Sequence, residues 1–373
     1  MTKKTPFQRT ANPPVERAST VLLEHASDLY RNDIKTYGRL GLAAHDALRE
    51  EILKRTGGVA CALVSTGLQA CTLSLLAVSR SGGHALIPDT AYGPTRRFAE
   101  NMLPRLGVET EFYAPGIGAG ISELIRENTS VVYMESPGSL TLEIQDVRAI
   151  AEAARARGAV SVIDDTWGAM TCFRPLELGV DLAVHAATKY PSGGSDVFLG
   201  SITAREAKLG AAIAAYVKTF GASVSADDAY TVLRSMRSLD ARLARHEASA
   251  HAVAQWLSER DEVVRVIFPG RPDHPDHTLW QRDFKSSSGL LAAVFKTQPE
   301  AKIHAFLDAL EVFGIGFSFG GFESLALWSD PQLKRNHADW SAEGNLMRFS
   351  IGLEPVAELT EDLERGFKAM AGA

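Results

Sequence analysis

From position 42 the chain changes from scattered apolar residues to regular ones. Leu42, Leu48, Ile52 and Leu53 fall on one helical face, and Gly57-Gly58 end that face. A short apolar run, Val59 to Val64, then reads as a buried strand, and Ser65-Thr66-Gly67 turns it into an apolar helix over Leu68 to Val78. The alternation continues. Strands are expected at His84 to Ile87, Val108 to Tyr113, Val131 to Met134, Val160 to Ile163, Leu182 to Ala187 and Phe198 to Thr203. Helices are expected near Thr95 to Leu106, Ile121 to Glu127 and Val147 to Arg157. Strands and helices alternating at this length imply an α/β fold, a largely parallel sheet covered by helices on both faces.

Beyond the last of these strands the alternation weakens. Ser225-Ala-Asp-Asp228 is suited to cap one long helix, Asp228 to Glu259. The remainder carries strands at Val263 to Phe268 and Gly289 to Phe295, and helices at Pro299 to Leu310 and Leu359 to Met370. The expected organisation is an extended arm over 1–41, a large domain over 42–237 and a smaller C-terminal α/β domain over 238–373. The arm holds Pro6, Pro13 and Pro14 and the stretch Thr36-Tyr37-Gly38-Arg39.

In a parallel sheet of this kind the site lies beyond the carboxyl ends of the strands. Thr66-Gly67, Asp164 and Lys189 all fall at such ends, which brings three distant stretches into one crevice. Ser65-Thr66-Gly67-Leu68 opens a helix whose free N–H groups and positive dipole end suit a phosphate, though an ordinary tight turn explains the same residues. Asp164 at a buried strand end needs a cation or several donors, and capping the strand is its alternative use. Lys189 follows an apolar strand and precedes a Gly/Ser loop. Burial there favours the neutral amine, which a Schiff base with an aldehyde cofactor requires; a lysine capping a strand end is the other reading. Tyr92 sits in a turn where it could stack on a planar ring or simply pack. Arg348 lies in an apolar strand, Met347 to Gly352, suited to a bidentate grip on a carboxylate. The loop Phe317 to Ser324 could line the same pocket.

Composition narrows the classes. A net charge of −6 argues against nucleic acid or an anionic membrane as the main partner, and no apolar run approaches a membrane span. The cysteines, Cys61, Cys71 and Cys172, form neither a disulfide framework nor a Cys-x-x-Cys pair. Met1 to Val15 shows no apolar h-region, so a cytoplasmic location is expected. Gly116-Ile-Gly118-Ala-Gly120 fails as a dinucleotide fingerprint because Ile121 stands where the last glycine belongs. His274-Pro-Asp-His277 lacks a helical scaffold for a metal and reads as a polar surface loop; no metal site is expected.

Taken together, Ala187-Thr188-Lys189-Tyr190 with Gly194-Ser195-Asp196 resembles the lysine signature of the Cys/Met-metabolism enzymes that use pyridoxal 5′-phosphate. These have the aspartate-aminotransferase fold (fold type I). The resemblance runs from about Tyr37 to Gly366. Glu135-Ser-Pro-Gly-Ser139, Ile163-Asp-Asp-Thr-Trp167, Gln281-Arg-Asp-Phe284 and Gly320-Gly-Phe-Glu-Ser324 are most similar to its bacterial β-lyase branch. The resemblance implies that Lys189 carries the cofactor and shuttles the proton. Asp164 would pair with the ring nitrogen and Tyr92 would stack on the ring. Thr66, Gly67, Leu68 and Thr188 would hold the phosphate. Arg348, with Ser318 and Phe319, would hold the substrate. It also implies that Tyr37 and Arg39 reach the site of a neighbouring subunit in a homotetramer of paired dimers. The implied reaction is αβ-elimination of L-cystathionine to L-homocysteine, pyruvate and ammonia. γ-Chemistry or cysteine/cystine desulfhydration are the alternatives. Ala186 departs from the serine many members carry there, and Gly194 and Phe319 stand where β-lyases often have His and Trp.

Overall fold

The computed structural model describes residues 10–31, 33–340 and 343–373. Residues 1–9, which include Pro6 of the expected arm and most of the stretch read for a leader, lie outside that set. Along the chain come α1 (Ala43–Thr56), β1 (Ala60–Val64), α2 (Gly67–Val78), β2 (His84–Pro88), α3 (Gly93–Asn101), β3 (Glu109–Tyr113) and β4 (Thr129–Glu135). Then follow α4 (Val147–Ala156), β5 (Val160–Asp164), β6 (Leu182–Ala186), β7 (Gly200–Ala204), α5 (Ala207–Thr219), α6 (Ala226–Met236) and α7 (Leu239–Ser258). The C-terminal part adds β8 (Val263–Ile267), α8 (His277–Asp283), β9 (Leu290–Phe295), α9 (Glu300–Asp308), β10 (Gly314–Ile315), β11 (Leu325–Trp328), β12 (Asn345–Ser350) and α10 (Val356–Gly372).

The first seven strands form one sheet in the order β1-β7-β6-β5-β4-β2-β3. All its pairs are parallel except those of β7, which runs against both β1 and β6. The expected largely parallel sheet is therefore present, and the carboxyl ends of β1, β2, β4, β5 and β6 share one edge. A second sheet, β10-β11-β12-β9-β8, completes a smaller C-terminal part. One continuous apolar core joins the two, running from Leu86, Val132 and Ile163 to Leu291, Val294 and Phe349. Trp167 and Phe173 both pack on Phe284 across the seam, and Trp167 Nε1 donates to the Leu290 carbonyl at 3.3 Å.

Several elements differ from expectation for identifiable reasons. The long helix expected from Asp228 is two helices, α6 and α7, interrupted at Arg237-Ser238. The break is stabilised by distant arginines: Arg55 Nη2 donates to the Met236 carbonyl at 3.1 Å, and Arg242 Nη2 to that of Ser235 at 3.1 Å. The helix expected to reach Leu106 stops at Asn101, and Pro104 opens a separate 3-10 turn. Glycines at 116, 118 and 120 leave a 3-10 segment, Pro115–Glu123, instead of the short α-helix. α5, α8, β10 and β11 were not anticipated. The surface-loop reading fails at His274, which is buried and accepts the Asp276 N–H at 3.1 Å on Nδ1.

One carboxylate of α10 ties it to the turn after α9. Buried Asp362 accepts the N–H groups of Glu311, Val312 and Phe313 at 2.9, 2.8 and 2.9 Å, satisfying the turn that follows α9. Asp362→Ala leaves three N–H groups without that acceptor and is expected to lower unfolding stability by about 3 kcal/mol in urea titrations. A loss under about 1 kcal/mol would contradict this role.

Candidate functional site

The site is built on the shared sheet edge. At the end of β1 the chain enters α2 through Thr66, an extended residue whose Oγ1 accepts the Gln69 N–H at 3.0 Å. Gln69 Oε1 in turn accepts the Ser65 N–H at 2.9 Å. This reciprocal cap leaves the N–H groups of Gly67 and Leu68 without a hydrogen-bond partner among the described residues, at the positive end of the helix. Position 67 has no room for a side chain. A Cβ there would stand 2.3 Å from the Ala186 Cβ and 2.8 Å from its Cα, so α2 meets β6 at near-contact distance.

Asp164 ends β5, the strand beside β6. Its Oδ1 accepts both the N–H (3.0 Å) and the hydroxyl (2.5 Å) of Thr166, and the Thr166 hydroxyl accepts the Ala186 N–H at 2.9 Å. Among the described residues Oδ2 meets only the Cys71 thiol of α2, at 3.4 Å. One carboxylate oxygen is thus fully engaged and the other is free for a stronger donor. Glu135 ends β4 in register with Asp164. Burial first, and the Asp164 carboxylate second, push its carboxyl well above the ordinary range. Its Oε2 accepts the Tyr92 N–H at 2.6 Å, fixing the turn that carries Tyr92. The Tyr92 side chain itself is half exposed.

Lys189 lies beyond β6, in the turn that follows it. Its Nζ donates to the Ser318 hydroxyl at 2.7 Å and stands 5.0 Å from the centre of the Phe319 ring. Arg348, on β12 of the second sheet, donates to the Ser318 carbonyl at 3.0 Å. Ser318 has a φ of 142°, a backbone state rare for a residue with a side chain, and it touches both cations. Burial, reinforced by the Arg348 charge and opposed by Asp164, lowers the Lys189 amine from 10.5 to about 8. Burial also lowers the Arg348 guanidinium. The cleft therefore holds a fixed cation, an amine poised for proton transfer, a half-engaged carboxylate and two free backbone donors.

Not every expected residue joins this group. The Thr188 hydroxyl is occupied by Leu199, donating to its carbonyl at 3.3 Å and accepting its N–H at 3.0 Å. Tyr37 and Arg39 lie apart and exposed. Arg39 stacks near the Tyr37 ring at 5.8 Å and donates to the Lys218 carbonyl at 3.1 Å. Sequence reasoning missed Cys71, Glu135 and Thr166. Glu135 is the one charged residue of β4 and closes its apolar run, which is the signal that could have marked it.

Two outcomes are expected. Labelling of the Lys189 amine by an acylating reagent in the cofactor-free protein, read by peptide mass, rises with pH through a midpoint near 8. The sign follows from burial disfavouring the charged form, so the reactive neutral amine appears below 10.5; a midpoint above 10 would contradict it. Gly67→Ala forces α2 away from β6, and affinity for a phosphate-bearing ligand in titrations is expected to fall by about tenfold or more.

The comparisons with known proteins agree on the family. Residues 2–368 match the family described as Cys/Met metabolism PLP-dependent enzyme. The chain is 47% identical over 363 residues to a putative cystathionine beta-lyase of Rhizobium johnstonii, covering 96% of this chain and 91% of the relative. It is 37% identical over 369 residues to the cystathionine beta-lyase of Bordetella avium, covering 96% and 92%. Among solved structures, cystathionine gamma synthase from Xanthomonas oryzae, in complex with aminoacrylate and cysteine, superposes with a TM-score of 0.90. That structure is 31% identical, with 97% of this chain and 94% of the other covered. The sheet edge, its half-buried lysine and the match across nearly the whole length place this chain in the Cys/Met-metabolism family of pyridoxal-phosphate-dependent enzymes.

Proposed function

We propose that this chain is a carbon–sulfur β-lyase that converts L-cystathionine and water to L-homocysteine, pyruvate and ammonia. The observation that carries the reading is the Lys189 amine, lowered to about 8 and 2.7 Å from the hydroxyl of Ser318, the residue whose carbonyl accepts from Arg348. The 47% identity to a putative cystathionine beta-lyase supports the choice of substrate.

The residues fit pyridoxal 5′-phosphate. Gly67 and Leu68 offer unpaired N–H groups to a phosphate in a turn too tight for a Cβ, and Asp164 Oδ2 has only a thiol before it. When bound, the cofactor supplies an aldehyde for the amine and a protonated ring that draws electrons from Cα. In this reading Lys189 carries the cofactor, and Asp164 keeps the ring nitrogen protonated with Oδ1 anchored on Thr166. Tyr92 stacks on the ring. Thr66 shapes the phosphate turn by capping α2, and Thr188 adds its hydroxyl by turning from the Leu199 carbonyl. Arg348 grips the α-carboxylate as a bidentate cation, with Ser318 and Phe319 forming the wall beside it. The substrate amine would take the place of Lys189 on the cofactor, and that grip would aim the Cα hydrogen at the freed Lys189 amine, which would remove the proton. The electron pair left at Cα expels sulfur from Cβ, and the thiol leaves with a proton. Water then converts the released enamine to pyruvate and ammonia.

We further propose the division into an arm (1–41), a cofactor-binding portion (42–237) and a C-terminal portion (238–373). In a homotetramer of paired dimers, Tyr37 and Arg39 of one subunit would complete the phosphate and substrate site of the next. Their distance from the Lys189 group within one chain and their exposure support that use. No helix among the described residues is long and apolar enough to cross a membrane. A cytoplasmic setting fits the free thiols of Cys61, Cys71 and Cys172.

The likeness to a cystathionine gamma synthase favours γ-chemistry as the second reading. Product analysis with L-cystathionine decides: pyruvate with homocysteine is expected, and 2-oxobutyrate with cysteine would transfer the assignment to γ-elimination. Lys189→Ala is expected to lower kcat by about a thousandfold or more. A variant with near-normal turnover would remove the lysine from the mechanism.

A further inference from the structure

Tyr92 is held in place by a second arrangement, on the side away from the lysine. The turn that carries it leaves β2 at Asp89, which is 1% exposed. The Asp89 carboxylate accepts Arg96 Nη1 at 2.8 Å, the Asn336 N–H at 2.8 and 2.7 Å on its two oxygens, and the His337 N–H at 2.8 Å. Burial alone would raise this carboxyl. The Arg96 guanidinium and the His337 and Asn336 N–H groups outweigh burial and hold it below the usual carboxylate range. It is therefore a buried anion whose donors come from both halves of the molecule.

The segment 334–337 lies in the C-terminal portion between β11 and β12, yet most of its polar contacts are to the large sheet's loops. Arg96 Nη2 donates to the Asn336 side-chain carbonyl at 2.8 Å, and His337 Nε2 lies 2.8 Å from the Phe112 carbonyl. Arg335 Nη2 donates to the Ser139 carbonyl at 2.7 Å and to the Thr141 hydroxyl at 2.8 Å. The loop it meets packs on the same turn: Ser139 N–H donates to the Thr90 carbonyl at 2.8 Å, and a Cβ on Gly138 would stand 2.6 Å from that of Thr90. Asp89 and Glu135 thus fix the Tyr92 turn from two sides. Among the described residues, no hydrogen bond joins Asp89 to Lys189, Asp164 or Arg348.

We propose that Asp89 is a positioning residue: by fastening the 334–337 segment to the Tyr92 turn, it sets where the Tyr92 ring stands over the cofactor site. The proposal rests on the reading of Tyr92 as the stacking residue. A carboxamide at 89 keeps the size but turns an NH2 toward the Asn336 or His337 N–H, so Asp89→Asn breaks the fastening without touching a residue at the cleft.

The test combines hydrogen exchange with ligand affinity on the full-length protein. In Asp89→Asn the amides of Asn336, His337 and the peptide containing Tyr92 are expected to exchange at least tenfold faster. The dissociation constant for pyridoxal phosphate rises about tenfold, while KM for L-cystathionine, set by Arg348, stays within about twofold. Asn336→Ala, which removes one arm of the network and leaves the backbone donors, gives a smaller change in the same direction and serves should Asp89→Asn not fold. Lys334→Ala removes the exposed pair with Glu100 on the same segment and should change nothing. Asp362→Ala destabilises the fold elsewhere and should leave cofactor affinity alone. Unchanged exchange around Tyr92, or faster exchange with cofactor affinity within twofold of the parent, would overturn the proposal. Failure of the functional reading is distinct, because the parent chain itself would then not convert L-cystathionine to pyruvate and homocysteine.

Discussion

The structure depends on confining two cations to one partly dry cleft. Lys189 and Arg348 border the same serine, and the Arg348 charge adds to burial in making the Lys189 charge harder to maintain. The amine yields, because a guanidinium stays protonated where an ammonium does not. In the proposed reaction that asymmetry would divide the work: a permanent cation to orient an anionic substrate, and a base available near neutral pH. Asp164 opposes the shift and keeps it moderate. The two cations come from different sheets, so their spacing is only as fixed as the seam. The seam is stiff. Tyr190, the residue after the lysine, accepts the Gly289 N–H on its hydroxyl at 2.9 Å, and its carbonyl accepts Arg242 at 2.7 Å.

Around the cleft, carboxylates that look alike in sequence are held in different states by their surroundings. Asp164 is anchored on one oxygen by Thr166. Glu135, beside it on the next strand, is pushed toward its neutral form. Asp165 faces the other way, where its Oδ2 lies 2.9 Å from His185 Nε2 in a fully buried pair. Burial raises Asp165 to about 6, with His185 restraining it. Asp89, just as buried, stays low because charged and backbone donors surround it. Burial raises Glu135 and Asp165, whereas at Asp89 the donors outweigh it.

Much of this site was legible in the sequence because it sits at strand ends. The alternation of short apolar runs with helical spacing located the carboxyl ends of β1, β5 and β6, hence Gly67, Asp164 and Lys189. A single arginine within an apolar strand marked Arg348. What stayed hidden was set by contacts across the sheet or between halves. The register of β4 against β5 places Glu135 beside Asp164, and no local pattern encodes that register. Cys71 reads as one more apolar residue of α2. Asp89 and 334–337 are 247 residues apart at Asn336 and meet only in the folded chain. The break between α6 and α7 escaped for the same reason, since Arg55 and Arg242 stabilise it from a distance. Thr188 looked free, but its hydroxyl already has two bonds to Leu199.

The half-buried amine of Lys189 is the group proposed to carry the cofactor. Borohydride reduction of the pyridoxal-phosphate-loaded protein, followed by peptide mapping by mass spectrometry, tests it without reference to any substrate. The account predicts a phosphopyridoxyl group on the peptide carrying Lys189, in one-to-one ratio with the chain. A label found mainly on another lysine, or none at Lys189, would contradict it.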